Sequence, residues 1–257
     1  MKLATWNLNS IRARLPRLVA WLGLRQPEVL CLQELKVSEE QFPFPEIEAA
    51  GYHAAVFGQR TYNGVAILSR SPLQDIEVGF GPQDDDPAAR LISARVGDLR
   101  VLSAYVPNGQ VVGSEKWAYK LAWLQRLRRH LDERADPKDK LALCGDLNVA
   151  PEARDVQNPA AWEGSVLYCP EARAALEQVL AFGLVDAFRL HHAEGGLYSW
   201  WDYRMLAFPK NDGLRIDHLL LTAPLATLCT SAFIDRNERK GQQPSDHAPV
   251  VIELALD

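Results

Sequence analysis

Cysteine is scarce and scattered in this chain. Its four residues, Cys31, Cys144, Cys169 and Cys229, form no Cys-x-x-Cys pair. That spacing argues against a disulfide framework and fits a reducing compartment. Cys31 and Cys144 fall inside apolar runs and read as small core residues. No apolar run approaches the roughly 20 residues that span a bilayer. The chain starts directly on a strand-like run, without a charged leader before an apolar stretch. The expectation is a soluble cytoplasmic protein, associated with the nucleoid if the source is bacterial, with no membrane partner. Gly-x-Ser-x-Gly is missing, as is a glycine-rich loop ending in Lys-Ser/Thr, so neither a serine-hydrolase elbow nor a nucleotide-phosphate loop is encoded. Positive charge is short too. A net charge of −5 argues mildly against nucleic acid. The objection is weak, because acidic metal ligands count in that sum while a substrate meets only the local patch.

Linkers, low-complexity tracts and helical-repeat periods are also missing. With 257 residues, 47 % of them hydrophobic, the expectation is one domain over residues 1–257, acting as a monomer. Lys2 to Leu8 reads as a strand, followed by a helix carrying Leu15, Leu18, Val19 and Leu22, with Ser10 as its N-cap. Val29 to Leu35 is apolar throughout and so reads as a central strand. Residues 52–58 and 64–69 suggest a hairpin across Tyr62-Asn63-Gly64, and 91–96 with 99–106 a second one turning at Gly97-Asp98. Ser114 caps a long helix with an apolar stripe of Trp117, Leu121, Leu124, Leu127 and Leu131, and Arg126, Arg128 and Arg129 read as its solvated face. A strand at 141–147, an irregular loop at 150–169, and a helix opened by Pro170 come next. Strands at 198–201, 216–222 and 248–256 complete the pattern. Interleaved strands and helices of this kind fit two mixed sheets packed face to face with helices outside.

The chemistry sits at the ends of the apolar runs: Trp6-Asn7-Leu8-Asn9, Gln33-Glu34, Gly145-Asp146-Leu147-Asn148 and Ser245-Asp246-His247. A buried strand keeps its polar groups at the mouth of the sheet, where water, a metal or a substrate satisfies them. Several such ends brought together make an oxygen-rich site suited to Mg²⁺ and phosphate. Glu34 is a natural first ligand. Asp146 and Asn148, at i and i+2 on one strand, share a face. There a carboxylate can take a proton from water while the amide orients that water or a phosphate oxygen. Asp246 can ligate metal, and His247 can donate to a phosphate oxygen in the transition state. Asp217, in Arg215-Ile216-Asp217-His218, can brace an imidazole, and spacing leaves open whether that ring is His218 or His247. Tyr105 adds a phenol. His191-His192 reads as solvent-facing, and Asp84-Asp85-Asp86 as an exposed loop.

Taken in order, Thr5-Trp6-Asn7, residues 32–36 (Leu-Gln-Glu-Leu-Lys), 62–69 (Tyr-Asn-Gly-Val-Ala-Ile-Leu-Ser), 145–150 (Gly-Asp-Leu-Asn-Val-Ala), 213–217 (Gly-Leu-Arg-Ile-Asp) and 245–249 (Ser-Asp-His-Ala-Pro) resemble the exonuclease III family of DNA-repair nucleases. That family has the endonuclease/exonuclease/phosphatase fold, and the resemblance covers essentially the whole chain. It implies a four-layer α/β sandwich and Mg²⁺-dependent cleavage of DNA phosphodiesters, with Mn²⁺ able to substitute. The implied substrates are double-stranded DNA with an abasic site, a nick or a blocked 3′ end. The implied reactions are abasic-site incision, 3′-phosphatase or phosphodiesterase action, and 3′-to-5′ exonuclease action. By the same resemblance, Glu34 is the principal metal ligand with Asn7 and Asp246 beside it, while Asp146, Asn148 and His247 also face the ion. Asp146 activates the water, Asn148 and Tyr105 contact the scissile phosphate, Asp217 braces His247, and Asn108 binds phosphate. Arg60, Arg90, Tyr62, Asn63 and Lys36 form a DNA-facing rim. Trp200, Leu214 and Ile216 match positions lining a slot for a flipped abasic sugar, whereas without the family Trp200-Trp201 would read as ordinary core.

Two departures stand out. Val111 follows Asn108-Gly109-Gln110 where some relatives insert a basic residue into the duplex. Leu167 sits where some relatives keep glycine and others a bulky side chain, which suggests a bias toward 3′-end processing. The alternative within the fold is a metal-dependent phosphodiesterase or phosphatase acting on RNA or a small phosphoester. A non-catalytic module predicts losses among Asn7, Glu34, Asp146, Asn148, Asp217, Asp246 and His247, and all seven are present.

Overall fold

The strands that carry the polar motifs lie in the middle of two six-stranded sheets. The computed structural model describes residues 1–81 and 85–256, so Asp84 lies outside the described residues. The strands are β1 Lys2–Asn7, β2 Val29–Gln33, β3 His53–Phe57, β4 Val65–Ser69, β5 Gln74–Val78, β6 Leu91–Val96, β7 Leu99–Tyr105, β8 Leu141–Asp146, β9 Leu184–Asp186, β10 Asp217–Thr222, β11 Cys229–Ile234 and β12 Val250–Leu254. The helices are α1 Ile11–Arg25, α2 Phe44–Ala49, α3 Glu115–Arg134, α4 Pro159–Trp162, α5 Pro170–Leu180, α6 Ala207–Lys210 and α7 Ala223–Ala226. One sheet runs β11-β12-β1-β2-β4-β3 and the other β5-β6-β7-β8-β10-β9. Each is mixed: β1 and β2 are parallel, as are β7 and β8, and the outer pairings are antiparallel.

An inner core joins the two sheets, with Cys31, Ile67, Ile92, Val101, Cys144, Leu219 and Ile252 among its side chains. The outer face of the first sheet packs under α1 and α2 through Trp6, Leu18, Trp21, Leu22 and Ile47. The outer face of the second packs under α3 and α5 through Trp123, Leu127, Leu143, Leu176 and Val179. This is the helix–sheet–sheet–helix sandwich. Central strands such as β2 and β8 are buried on both faces and are apolar for that reason.

Register fixes the rim. Asn7 pairs with Gln33, Tyr105 with Asp146, and Asp217 with Asp146. The carboxyl ends of β1, β2, β7 and β8 and the start of β10 therefore share one edge. Gly145 allows the close approach at that edge. Its φ is 149°, and a Cβ there would lie 1.9 Å from the Ala104 carbonyl oxygen.

Several local expectations change. Ser10 has φ 98° and makes no side-chain cap, because the chain between β1 and α1 is bent to reach Glu34. Ser114 does cap α3, accepting from the Trp117 N–H at 3.2 Å. Residues 198–201 form no strand: Trp200 makes single backbone bridges to Leu214 and His247. Strand β5 went unread because Gln74–Val78 is an exposed polar edge, and β9 is only three residues long. The loop at 150–169 contains α4. Asp86 is not a free loop carboxylate, since it accepts from Tyr119 and pairs with Arg126 at 3.0 Å. His192 turns inward, donating from Nε2 to the Ala232 carbonyl of β11 at 2.7 Å and stacking on Phe188 at 4.4 Å.

Candidate active site

Glu34 follows β2 with φ 53°, a left-handed conformation unusual for a residue with a side chain. Asn9, Lys36 and Asn148 share it, at 48°, 58° and 50°. Such conformations persist only where neighbours hold them, and they gather at functional sites. Here backbone bonds from Leu8 to Gln33, Ser10 to Glu34 and Leu35 to Gly64 supply the restraint.

The carboxylates of Glu34 and Asp146 face each other across the two sheets. The Asn7 side-chain amide joins them, donating to Glu34 Oε1 and to Asp146 Oδ2, each at 2.9 Å. Its oxygen accepts from the Asn9 N–H at 2.9 Å. In this arrangement Asn7 clamps the two carboxylates instead of presenting an oxygen between them. Tyr105 donates to Glu34 Oε1 at 2.9 Å, and the Lys36 ammonium sits 2.9 Å from Oε2. Burial, followed by the Glu34 and Asp146 charges, pushes the Tyr105 phenol well above its usual range, so it stands here as an O–H donor.

Behind this pair lies His247. Its Nε2 is 3.8 Å from Asp146 Oδ2, and its Nδ1 is 2.8 Å from Asp217 Oδ2. Burial works against the imidazolium, but the charges of Asp217 and Asp146 outweigh it and raise the ring to about 10. Burial also raises Asp146, to about 7, with His247 opposing and Asp217 and Glu34 adding to the rise. His218 goes elsewhere, with Nδ1 on the Arg215 guanidinium at 3.0 Å and Nε2 on the Val149 carbonyl at 2.9 Å. Asp246 is partly buried, accepting from Asn9 at 2.9 Å and from the Trp200 indole at 3.0 Å. Burial acts to raise it, but the His247 charge and these two donors hold it below the usual carboxylate range.

Glu34, Asp146 and His247 each offer an atom within 4.8 Å of the others'. Two facing carboxylates are hard oxygen donors and suit Mg²⁺. In its charged form His247 can donate from Nε2 to an anion, with Nδ1 held by Asp217.

Another side of the site is built from amides. Asn148 accepts from Asn108 at 3.2 Å, donates to the Val106 carbonyl at 2.9 Å, and its backbone N–H reaches Asp146 Oδ1 at 2.9 Å. On the expected rim, Tyr62 and Arg60 are exposed, and Arg90 stacks 4.7 Å over the Tyr105 ring. Asn63 is largely buried and donates to Gln59 at 2.8 Å. Tyr203, Met205 and Leu206 form an exposed apolar tip that sequence reading missed, tied to the site through Tyr203 to Arg14. Trp200 lines the site while Trp201 is wholly buried, so adjacent tryptophans serve different ends.

The residues expected to line a slot for a flipped sugar pack together. Leu167 joins Leu214, Ile216, Val156 and Tyr168 in one buried cluster under Trp200 and Trp162. A second unread feature is the buried Arg215, whose guanidinium pairs with Asp155 at 2.6 Å and Asp186 at 2.7 Å just before Asp217. Its only sequence signal was an arginine at the start of an apolar strand.

Comparison with known proteins agrees with this geometry. Residues 4–247 match the Endonuclease/Exonuclease/phosphatase family. The chain belongs to that family. It is 35 % identical to the exodeoxyribonuclease III of Haemophilus influenzae, over 99 % of this chain and 100 % of that protein. An AP endonuclease from Archaeoglobus fulgidus superposes with a TM-score of 0.97 at 38 % identity, covering all of both chains. NExo, a 3′ phosphatase from Neisseria bound to a product DNA hairpin, superposes with a TM-score of 0.95 at 39 % identity, covering 99 % of each chain.

Proposed function

We propose that this protein is a Mg²⁺-dependent DNA-repair nuclease acting on abasic sites and blocked 3′ ends of double-stranded DNA, with 3′-end processing dominant. The observation that carries the chemistry is the pair of facing carboxylates, Glu34 and Asp146, bridged by Asn7 beside the His247–Asp217 couple. The names of the relatives, exodeoxyribonuclease III, AP endonuclease and 3′ phosphatase, support DNA as the substrate. No helix among the described residues is long and apolar enough to cross a membrane. All four cysteines are free, which supports a cytoplasmic setting. A single domain over residues 1–257 is part of this reading, because the inner core draws on strands of both sheets.

Glu34 and Asp146 would hold the cation, with Asp246 close by; Asn148 adds an amide on the same edge. When bound, the metal supplies positive charge against the charge that builds on the phosphate. Asp146, held in place by the Asn7 amide, takes the proton of the attacking water. That water adds to phosphorus as the bond to the 3′-oxygen breaks. His247 donates from Nε2 to a phosphate oxygen, while Asp217 holds the ring's orientation and charge. Asn108 and Asn148 each have one amide proton left for the phosphate after the bonds described above. Arg90, Arg60 and Tyr62 meet the DNA backbone. The 3′-end bias rests on Leu167, which is buried among Leu214, Ile216 and Trp200, the side chains that would have to receive a flipped abasic sugar.

The deciding assay uses labelled duplexes carrying either an internal abasic analogue or a 3′-phosphate at a nick, each with Mg²⁺ and with chelator. Metal-dependent release of 3′-phosphate exceeding abasic incision is expected. Dominant abasic incision would overturn the bias, and no cleavage of either duplex would turn attention to RNA or a small phosphoester.

A further inference from the structure

Lys120 lies on α3 with no exposed surface, an unusual place for a lysine. Its stem packs against Gly109 and Trp117, so closely that a Cβ on Gly109 would meet both at 3.1 Å. Its ammonium is 5.7 Å from the Trp117 ring centre. The hydrogen bonds it makes all end on carbonyl oxygens: Asn108 at 3.2 Å, Asn148 at 2.7 Å and Val166 at 2.5 Å. An ammonium has three N–H groups, and each finds one acceptor. None of the three carbonyls has another hydrogen-bond partner among the described residues.

Packing alone does not call for this charge. A methionine or leucine would fill the same space beside Trp117 without the cost of burying an ion, which is several kcal/mol unless it is compensated. Burial pulls this ammonium down to about 7, and the acceptors that oppose it come from three separate segments. Asn108 belongs to the loop after β7, Asn148 ends the Gly145-Asp146-Leu147-Asn148 motif, and Val166 precedes Leu167 in the loop at 150–169. Asn148 is left-handed, and its backbone N–H, side-chain oxygen and side-chain nitrogen are engaged by Asp146, Asn108 and Val106. Its carbonyl is the remaining polar group, and Lys120 holds it from beneath.

We infer that Lys120 is a positioning residue: one buried ammonium ties together the two phosphate-facing amides and the loop that carries Leu167, and so sets the amide geometry the reaction needs. Without it, three carbonyl dipoles would face one another in a dry space. The segments would move apart, and displacements of about 1 Å in such a site can cost on the order of 100-fold in rate. This inference rests on the proposed function of the same site.

The test compares wild type with Lys120→Met and Lys120→Ala, each assayed below its melting temperature. In Lys120→Met, kcat for 3′-phosphate release should fall by about 10- to 100-fold. Mg²⁺ affinity by calorimetry should change less than about twofold, because Glu34 is untouched. Lys120→Ala should regain activity saturably with propylammonium and not with propanol. Full activity of Lys120→Met, or no response of folded Lys120→Ala to the amine, would overturn the inference. So would failure of both variants to fold at any temperature, which would make Lys120 structural only. Affinity for inorganic phosphate is measured alongside and needs no DNA. If wild type cleaves no DNA, the functional reading fails, and weaker phosphate binding by Lys120→Met still supports the positioning role.

Discussion

His247 Nδ1 lies 2.8 Å from Asp217 Oδ2 and 3.1 Å from Oδ1, and both residues are buried. Ser199 donates to the same Oδ2 at 2.6 Å, so the carboxylate cannot swing away. This pairing fixes which ring nitrogen faces the site.

Asp217→Asn should leave the fold in place and lower kcat by about 10²- to 10⁴-fold, the range for losing the partner of a catalytic histidine. The imidazolium, at about 10 in the native protein, should titrate at lower pH in the variant, as followed by NMR. The folded state binds this proton more tightly than the unfolded chain, whose histidine titrates near about 6.5. The stabilisation by the pair is therefore complete below about 6.5 and disappears as pH climbs through about 10. The variant's loss in melting temperature should be larger at pH 6 than at pH 10. Equal losses at both would show that His247 is neutral in the fold.

Asp146 makes the opposite kind of contribution. Its folded carboxyl titrates at about 7, while an unfolded aspartate does so near about 3.9. Across that interval the folded state holds a proton the unfolded chain has lost, so ionising Asp146 penalises the fold as pH rises. In chelator, Asp146→Asn should melt above wild type, with a gap that widens from pH 5 to pH 7.5. The same variant should lose at least about 10³-fold in kcat. A gap that shrinks over that interval would contradict the raised carboxyl.

Removing the Glu34 carboxylate should affect metal before fold. Glu34→Gln keeps the size and can still meet Tyr105 and Asn7, but it loses the charge that faces Lys36. Activity should drop by at least about 10³-fold, with calorimetric Mg²⁺ affinity falling in parallel. Unchanged Mg²⁺ binding would remove Glu34 from the metal site.

Leu167→Gly opens the buried cluster beneath Trp200. It should raise abasic incision relative to 3′-phosphate release by about tenfold, measured on the two duplexes in one assay. The cavity should cost about 2 to 5 kcal/mol, seen as a lower denaturation midpoint. An unchanged activity ratio in the folded variant would exclude Leu167 as the specificity residue.

The set of strand-end polar groups was legible in the residue pattern alone. A fully apolar strand such as β2 must be central, and a central strand can end in Gln33-Glu34 only where those groups find partners. The sandwich, the long capped helix α3 and the convergence of motifs from Asn7 to His247 follow from that requirement. Folding chose the partners. Asp217 chooses His247 over the adjacent His218, because alternate residues on β10 point to opposite faces and Arg215 claims the second ring. Asn7 became a clamp, and Leu167 packed against Leu214, Ile216 and Trp200, since each depends on residues distant in the chain. Lys120 was legible only as one polar position on an amphipathic helix. Its role emerges when three loops bring their carbonyls to one ammonium, an arrangement no local pattern encodes.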